Sequence, residues 1–259
     1  MSNDSNKKVS VRVLSGPTTL IEYGGLRLLA DPTFDPPSEY PVPGFGEYYA
    51  LIKTEPTPVT VDDLGYIDAV LLSHDEHPDN LDVAGRALLP TVAAVFTTIS
   101  GAGRLGGNAR GLEFWEAAKV TRPDGGTITI TGVPARHGPI GSSDVNGDVV
   151  GFMLTADDLP SVYVSGDNVG LEHVEQIAER FAPVDIAILF LGAARHAPIL
   201  DNALVSMTSA QGAEAAKILG ARRAVAAHFD GWAHFKEGRI EIEQAFSAAG
   251  LADRLDFAR

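Results

Sequence analysis

The sequence predicts a layered α/β fold. Three observations carry that reading. Short apolar runs, alternating or continuous, fill the first two thirds of the chain. Strands and amphipathic helices alternate through the last third, and no low-complexity linker separates the two parts. The expected organisation is a short flexible tail over residues 1–8 followed by one domain over 9–259.

Val9 to Leu14 alternates apolar and polar side chains, Thr18 to Tyr23 does so more loosely, and both read as strands. Gly24-Gly25 is a hairpin turn that returns into Leu26 to Ala30. Five prolines between Asp31 and Pro43 predict a loop. The run Ala69 to Leu72 is a strand, and Asp82 to Leu89 is a helix stopped by Pro90. Ala93 to Thr98 reads as a strand and Gly101 to Gly107 as a short helix or a loop. That glycine-rich stretch lacks the Lys-Ser/Thr ending of a phosphate-binding loop. Strands are expected over Thr127 to Val133 and Ser161 to Val164. Leu171 to Phe181 places Leu171, Val174, Ile177, Ala178 and Phe181 on one helical face, with Asp167 or Asn168 as the expected cap. Val184 to Leu191 is a buried strand, and Thr208-Ser209-Ala210-Gln211 opens a helix in capping-box form. Arg223 to Ala227 is a short strand, and a last helix carries Ile240, Ile242 and Phe246.

At 259 residues, 45% hydrophobic and 21% charged, the chain has the composition of an ordinary globular protein with a sizeable core. No apolar run reaches the roughly 18 residues of a membrane span, and the N-terminal segment has no secretory apolar core. No membrane partner is expected. The absence of cysteine excludes disulfides and thiolate ligands and fits a reducing cytoplasm. A net charge of −14 argues against a nucleic-acid backbone as partner. A homo-oligomer stays open.

The chemistry is concentrated in Ser73-His74-Asp75-Glu76-His77-Pro78-Asp79-Asn80-Leu81-Asp82, which carries two of the seven histidines and directly follows a strand. Imidazole and carboxylate together suit zinc, manganese or iron. Three further strands end the same way: at His137, at Asp167 and at His228. Strand ends are rigid attachment points beside irregular backbone, where functional groups are commonly presented.

With Leu29-Ala30-Asp31-Pro32, the histidine cluster, His137, Ser165-Gly166-Asp167 and His228 in this order, the chain resembles the metallo-β-lactamase-fold hydrolases. Within them it is similar to the branch of L-ascorbate-6-phosphate lactonase and other UlaG-like metal-dependent hydrolases. The resemblance implies a four-layer αββα sandwich over 9–259 with one or two divalent ions, zinc or manganese, at one edge of the sheets. The family motif is His-x-His-x-Asp-His, and this chain departs from it by one extra residue. The simplest matching puts His74, His77 and His137 on the first metal and Asp79, Asp167 and His228 on the second. Asn80 then stands where the motif has its last histidine. The alternative places Glu76 in the second histidine position. Glu76 and Asn80 are left between ligand and supporting neighbour, and Asp31 between orienting a ligand histidine and capping a loop. Asp79 carries two further readings, as the catalytic group that orients water and passes its proton and as a helix cap. His196, Asp230 and His234 are candidates for the substrate pocket.

The resemblance implies a hydrolase whose partner is a small-molecule substrate, an ester, lactone or related carbonyl attacked by a metal-activated water. Two alternatives accompany it. One is a phosphodiesterase on the same fold; the other is a non-catalytic metal or metabolite binder, motivated by Asn80. Substrate choice falls to the loops Asp31 to Tyr49 and Ala193 to Met207.

Overall fold

Strands buried on one or both faces set the layers. The computed structural model describes residues 9–42, 50–195 and 199–259, so the expected tail over 1–8 and His196 lie outside the described residues. The first sheet opens with an antiparallel run of β1 (Val9–Ser15), β2 (Thr18–Tyr23) and β3 (Leu26–Ala30). A separate ribbon pairs β4 (Ser38–Pro41) with β5 (Ala50–Lys53), and helix α1 (Val61–Leu64) follows. β6 (Ala69–Leu71), α2 (Val83–Leu88), β7 (Ala94–Thr97), α3 (Ile99–Leu105) and β8 (Ala109–Gly111) come next. These three strands extend the sheet in parallel, in the order β1-β2-β3-β6-β7-β8.

The second sheet begins antiparallel with β9 (Ala117–Thr121), β10 (Thr127–Pro134), β11 (Val150–Ala156) and β12 (Leu159–Val164). Helix α4 (Ser143–Asn146) interrupts the β10–β11 connection. Crossover helices α5 (Leu171–Phe181), α6 (Ser209–Ile218) and α7 (Arg239–Ala248) then lead to parallel β13 (Ile186–Phe190), β14 (Arg223–Ala227) and β15 (Leu255–Asp256).

Side-chain alternation makes three cores out of these layers. Leu28, Leu71 and Phe96 of the first sheet meet Ile130, Phe152, Ile188 and Val225 of the second in a core between the sheets. The opposite faces point outward. Leu29, Val70 and Val95 pack with Leu64 and Leu88 of the flanking helices, while Ala187, Leu189 and Ala226 pack with Ile177, Ala216 and Phe246. The result is the four-layer αββα sandwich. It also explains the continuous apolar run near residue 188: a parallel strand covered on both faces has no polar side.

Two local readings differ from the sequence, and a third is decided between its two alternatives. The proline-rich segment contains β4, tolerated because a two-stranded ribbon leaves edge positions where a missing N–H breaks no interior ladder. The glycine-rich stretch is helical because Thr98 Oγ1 accepts from Gly101 N at 2.9 Å and caps α3. The cap of α5 is Gly170, since Asn168 Oδ1 accepts instead from the Arg136 and Gly170 amides at 3.0 and 2.9 Å.

Candidate metal centre

Sheet direction brings the distant strand ends together. β10 and β12 are both antiparallel to β11, so they run the same way, and β13 and β14 run parallel to β12. His137, Asp167 and His228 therefore all follow C-terminal ends at one edge of the second sheet. In the first sheet, parallel β3 and β6 deliver Asp31 and the segment after Leu72 to neighbouring positions. The edges are joined where Val150 N donates to Ser73 O at 3.1 Å.

Two donor sets form there. His74, His77 and His137 bring one ligand atom each to within 4.8 Å of one another, and so do Asp79, Asp167 and His228. His77, rather than Glu76, is the side chain that reaches the other two histidines. Its Nδ1 lies 3.0 Å from His74 Nε2 and 3.0 Å from His137 Nε2. The three ring centroids stand 5.0 Å apart pairwise. His137 donates from Nδ1 to Val205 O at 2.6 Å, which leaves the Nε2 lone pair of the neutral ring facing inward. His74 Nδ1 is engaged by Ser73 Oγ at 2.9 Å, again leaving Nε2 for the interior.

In the second set His228 Nε2 is 3.3 Å from Asp79 Oδ2 and 3.3 Å from Asp167 Oδ1. Its backbone occupies the left-handed region at φ 56°, a strain of the kind kept at functional positions. The ring stacks on Phe190 at 5.1 Å and packs against Phe235 at 4.3 Å, so apolar packing fixes its direction. Asp167 also stands 3.7 Å from His137 Nδ1 and so links the two sets.

The donor chemistry fits a divalent ion. Ligands bound at about 2.1 Å to a shared ion lie roughly 3.0–3.4 Å apart in octahedral or tetrahedral arrangements, the spacing seen in both sets. Burial pushes the Asp167 carboxyl well above the usual carboxylate range, and neighbouring Asp79 and Asp31 add to it. Burial presses Asp79 the same way, but the imidazoles of His234 and His228 outweigh it and hold Asp79 well below that range. Asp31 is pushed up to about 7, chiefly by burial. Several buried acids and imidazoles packed around one point are what a cation relieves.

The remaining sequence candidates fall as follows. Asp31 Oδ1 accepts from Ser73 N at 2.7 Å and fixes the start of the histidine segment. Asn80 turns its amide nitrogen toward Asp31 Oδ2 and Ser73 Oγ, 3.4 Å from each. Glu76 points away, to an ion pair with Arg104. The helix cap read as an alternative for Asp79 belongs to Asp82, whose Oδ1 accepts from Gly85 N at 2.8 Å. Asp230 ties loops together through Gly16 N at 3.0 Å and the Arg259 guanidinium. His234 is buried at the second set, with Nε2 2.9 Å from Asp79 Oδ2.

Ser73 and Arg104 were not singled out in the sequence. Ser73 adjoins the cluster and was open to notice; Arg104 lies 29 residues from Asp75, whose carboxylate it grips through Nε at 3.0 and 3.2 Å. His137 borders a cavity of about 430 Å³ that Ile99 and Phe114 rim, with Arg136, Glu113 and Asp148 in its wall. The Arg136 guanidinium is already held by Glu172 at 2.7 Å.

Comparison with known proteins agrees with this architecture. A family model described as a β-lactamase superfamily domain matches residues 27–229. A metal-dependent hydrolase of the UPF0173 group from Rubrobacter xylanophilus is 30% identical over 210 residues, covering 78% of this chain and 80% of its own. An N-acyl-phosphatidylethanolamine-hydrolysing phospholipase D of Caenorhabditis elegans is 25% identical over 238 residues, and the chain spans 64% of its length. Among solved structures, isothiocyanate hydrolase from Delia radicum gut bacteria superposes with a TM-score of 0.79 at 23% identity, covering 95% and 94% of the two chains. The chain belongs to the β-lactamase superfamily, as a metal-dependent hydrolase of the metallo-β-lactamase fold.

Proposed function

We propose that this hydrolase acts on a small carbonyl ester or lactone, in keeping with its resemblance to the UlaG-like branch. His74, His77 and His137 would hold one ion, and Asp79, Asp167 and His228 a second, with zinc or manganese as the ions. A divalent ion bound there supplies a water of lowered pKa and a Lewis acid for the carbonyl oxygen. The chain's own residues do the rest. His137 and His74 are locked in direction by Val205 O and Ser73 Oγ. Asp79 stays ionised beside two imidazoles, and its Oδ1 is buried without a hydrogen-bond partner. That oxygen is the acceptor for a proton leaving the nucleophilic water, while Oδ2 faces the histidines.

The character of the cavity beside His137 carries the preference for a carbonyl substrate. Among the described residues lining it, Arg136 is the basic one and Glu113 and Asp148 oppose it, a poor setting for a phosphodiester. The phospholipase relative supports the phosphodiesterase reading as the second choice.

The test is a panel of lactones, aryl esters and phosphodiesters assayed with protein of measured metal content. Lactone or ester turnover should vanish on chelation and return on adding zinc or manganese, and His74→Ala and His137→Ala should abolish it. Turnover of phosphodiesters alone would replace this reading with the second. Full metal occupancy without turnover on any panel member would make the chain a binder.

A further inference from the structure

Three exposed apolar side chains gather around one cavity. Ile99 and Phe114, 51% and 47% exposed, rim the space of about 430 Å³ that His137 borders. Ile140, 87% exposed, stands between its lining residues Pro139 and Gly141. Leu112, Val149 and Val150 line it as well and are buried, so apolar surface continues from rim to floor. A cavity of this size and character is what a small-molecule site requires. None of its described lining comes from 31–49 or 193–207, the loops to which the sequence assigned substrate choice.

The polar groups of the wall are engaged within the protein or stay in water. Arg136 pairs with Glu172 at 2.7 Å and donates from Nη1 to Gly138 O at 2.6 Å. Asp148 Oδ2 accepts from Ser100 Oγ at 3.1 Å, Ser142 Oγ donates to Pro139 O at 2.8 Å, and Glu113 is exposed. A charged substrate tail would have to displace these contacts, whereas a hydrocarbon tail gains burial and displaces none. The wall is also tied to the metal segment, since Asn146 Nδ2 donates to His137 O at 2.9 Å. A carbonyl group held at the histidines therefore has this cavity as the neighbouring space for the rest of its molecule.

We propose that this cavity takes an unbranched hydrocarbon chain of the ester or lactone, and that Ile99 and Phe114 set the preference for its length. This rests on reading the protein as a carbonyl hydrolase. The competing occupant is an acyl chain that ends in a carboxylate and is held by Arg136. The two order a substrate series differently, because each added methylene helps the first and a terminal charge helps the second.

Zinc-loaded protein is assayed with p-nitrophenyl esters from acetyl to octanoyl, with γ-lactones of matching alkyl length, and with the p-nitrophenyl half-ester of hexanedioic acid. kcat/KM should rise about threefold to fourfold per methylene until the chain fills the cavity, and the half-ester should fall below the hexanoyl ester. Ile99→Ser and Phe114→Ser should each cut the rise to below about twofold per methylene, a change of slope that a general loss of fold or metal does not produce. Both side chains are about half exposed, so the variants should fold, as circular dichroism would show. Ile240→Ser, at an exposed position of α7 outside the cavity lining, should keep the wild-type slope. Titration calorimetry with 1-alkanols from butanol to octanol reads the same chain without turnover: affinity should climb by a similar factor per methylene in wild type and less in the two serine variants. A flat ester series, a faster half-ester, or a slope unchanged in both serine variants would overturn the inference and leave the hydrolase standing. Alkanol affinity that climbs in protein turning over no ester or lactone would keep the cavity's preference and remove the catalytic reading instead.

Discussion

Lys53 and Asp82 form an ion pair at 3.0 Å with both side chains at 0% exposure. The pair joins β5 to the residue that caps α2, three positions beyond Asp79 in sequence. Lys53→Met keeps the unbranched stem near Trp232 and removes only the charge. Breaking a buried pair from one side costs about 3–5 kcal/mol, because the surviving charge stays desolvated. Here Asp82 keeps two donors, Gly85 N at 2.8 Å and Asp35 N at 2.7 Å. The expected cost is therefore about 3 kcal/mol, near the low end of that range. For a chain of this size that is a fall in Tm of roughly 6–12 °C.

Asp82→Asn strands the ammonium instead and adds a pH signature. Burial already lowers the pKa of Lys53, and Asp82 is what opposes that shift. Without Asp82 the folded pKa falls further. Between the folded pKa and the unfolded value the unfolded chain binds the extra proton, so stability rises as pH climbs through that window. Urea denaturation from pH 7 to 10 reads both effects. A Lys53→Met cost below about 1 kcal/mol, or an Asp82→Asn stability that falls with pH relative to wild type, would refute the reasoning.

The other perturbations act closer to the metal segment. Arg104→Gln releases Asp75 and Glu76, the two residues between His74 and His77, and should lower first-site zinc affinity about 10–100-fold by calorimetry; unchanged affinity would show that the segment holds itself. Asp31 keeps its proton when folded up to about pH 7, whereas in the unfolded chain it ionises near 3.8. The folded state then binds more protons across this window, so Asp31 makes metal-free protein less stable as pH rises from 4 to 7, by on the order of 4 kcal/mol. Asp31→Asn should remove that contribution, so its stability relative to wild type should grow over the same interval in urea titrations; a constant difference would contradict the assignment.

Much of the site was legible because it hangs on strand ends. A run such as Ala69 to Leu72 followed by His74 states both where a strand stops and what it presents, and the same holds for Ala227 and His228. What stayed hidden depends on chain returns that no local pattern records. His234 meets Asp79 across 155 positions, and Lys53 meets Asp82 across 29. In sequence His234 sits in a loop with no strand before it, so it read as a pocket residue. The sequence offered Asp79 as a helix cap and counted Asp82 within the helix; the geometry of α2 makes Asp82 the cap because its Oδ1 reaches Gly85 N. The ribbon of β4 and β5 escaped because proline density signals loop wherever both strand edges are assumed to be paired.

Each donor set draws on both sheets, and this ties the chemistry to the fold. His74 and His77 follow β6 of the first sheet, and His137 follows β10 of the second; Asp79 comes from the first, Asp167 and His228 from the second. The sheets touch through apolar side chains between them, a contact that fixes separation well and lateral register less strictly. The edge supplies what that core lacks: Val150 N on Ser73 O, His137 Nδ1 on Val205 O and Asp31 on Ser73 N set direction atom by atom. A two-sheet sandwich thus brings imidazoles and acids together at low cost in backbone order, since the ordering that places them is already required to close the core.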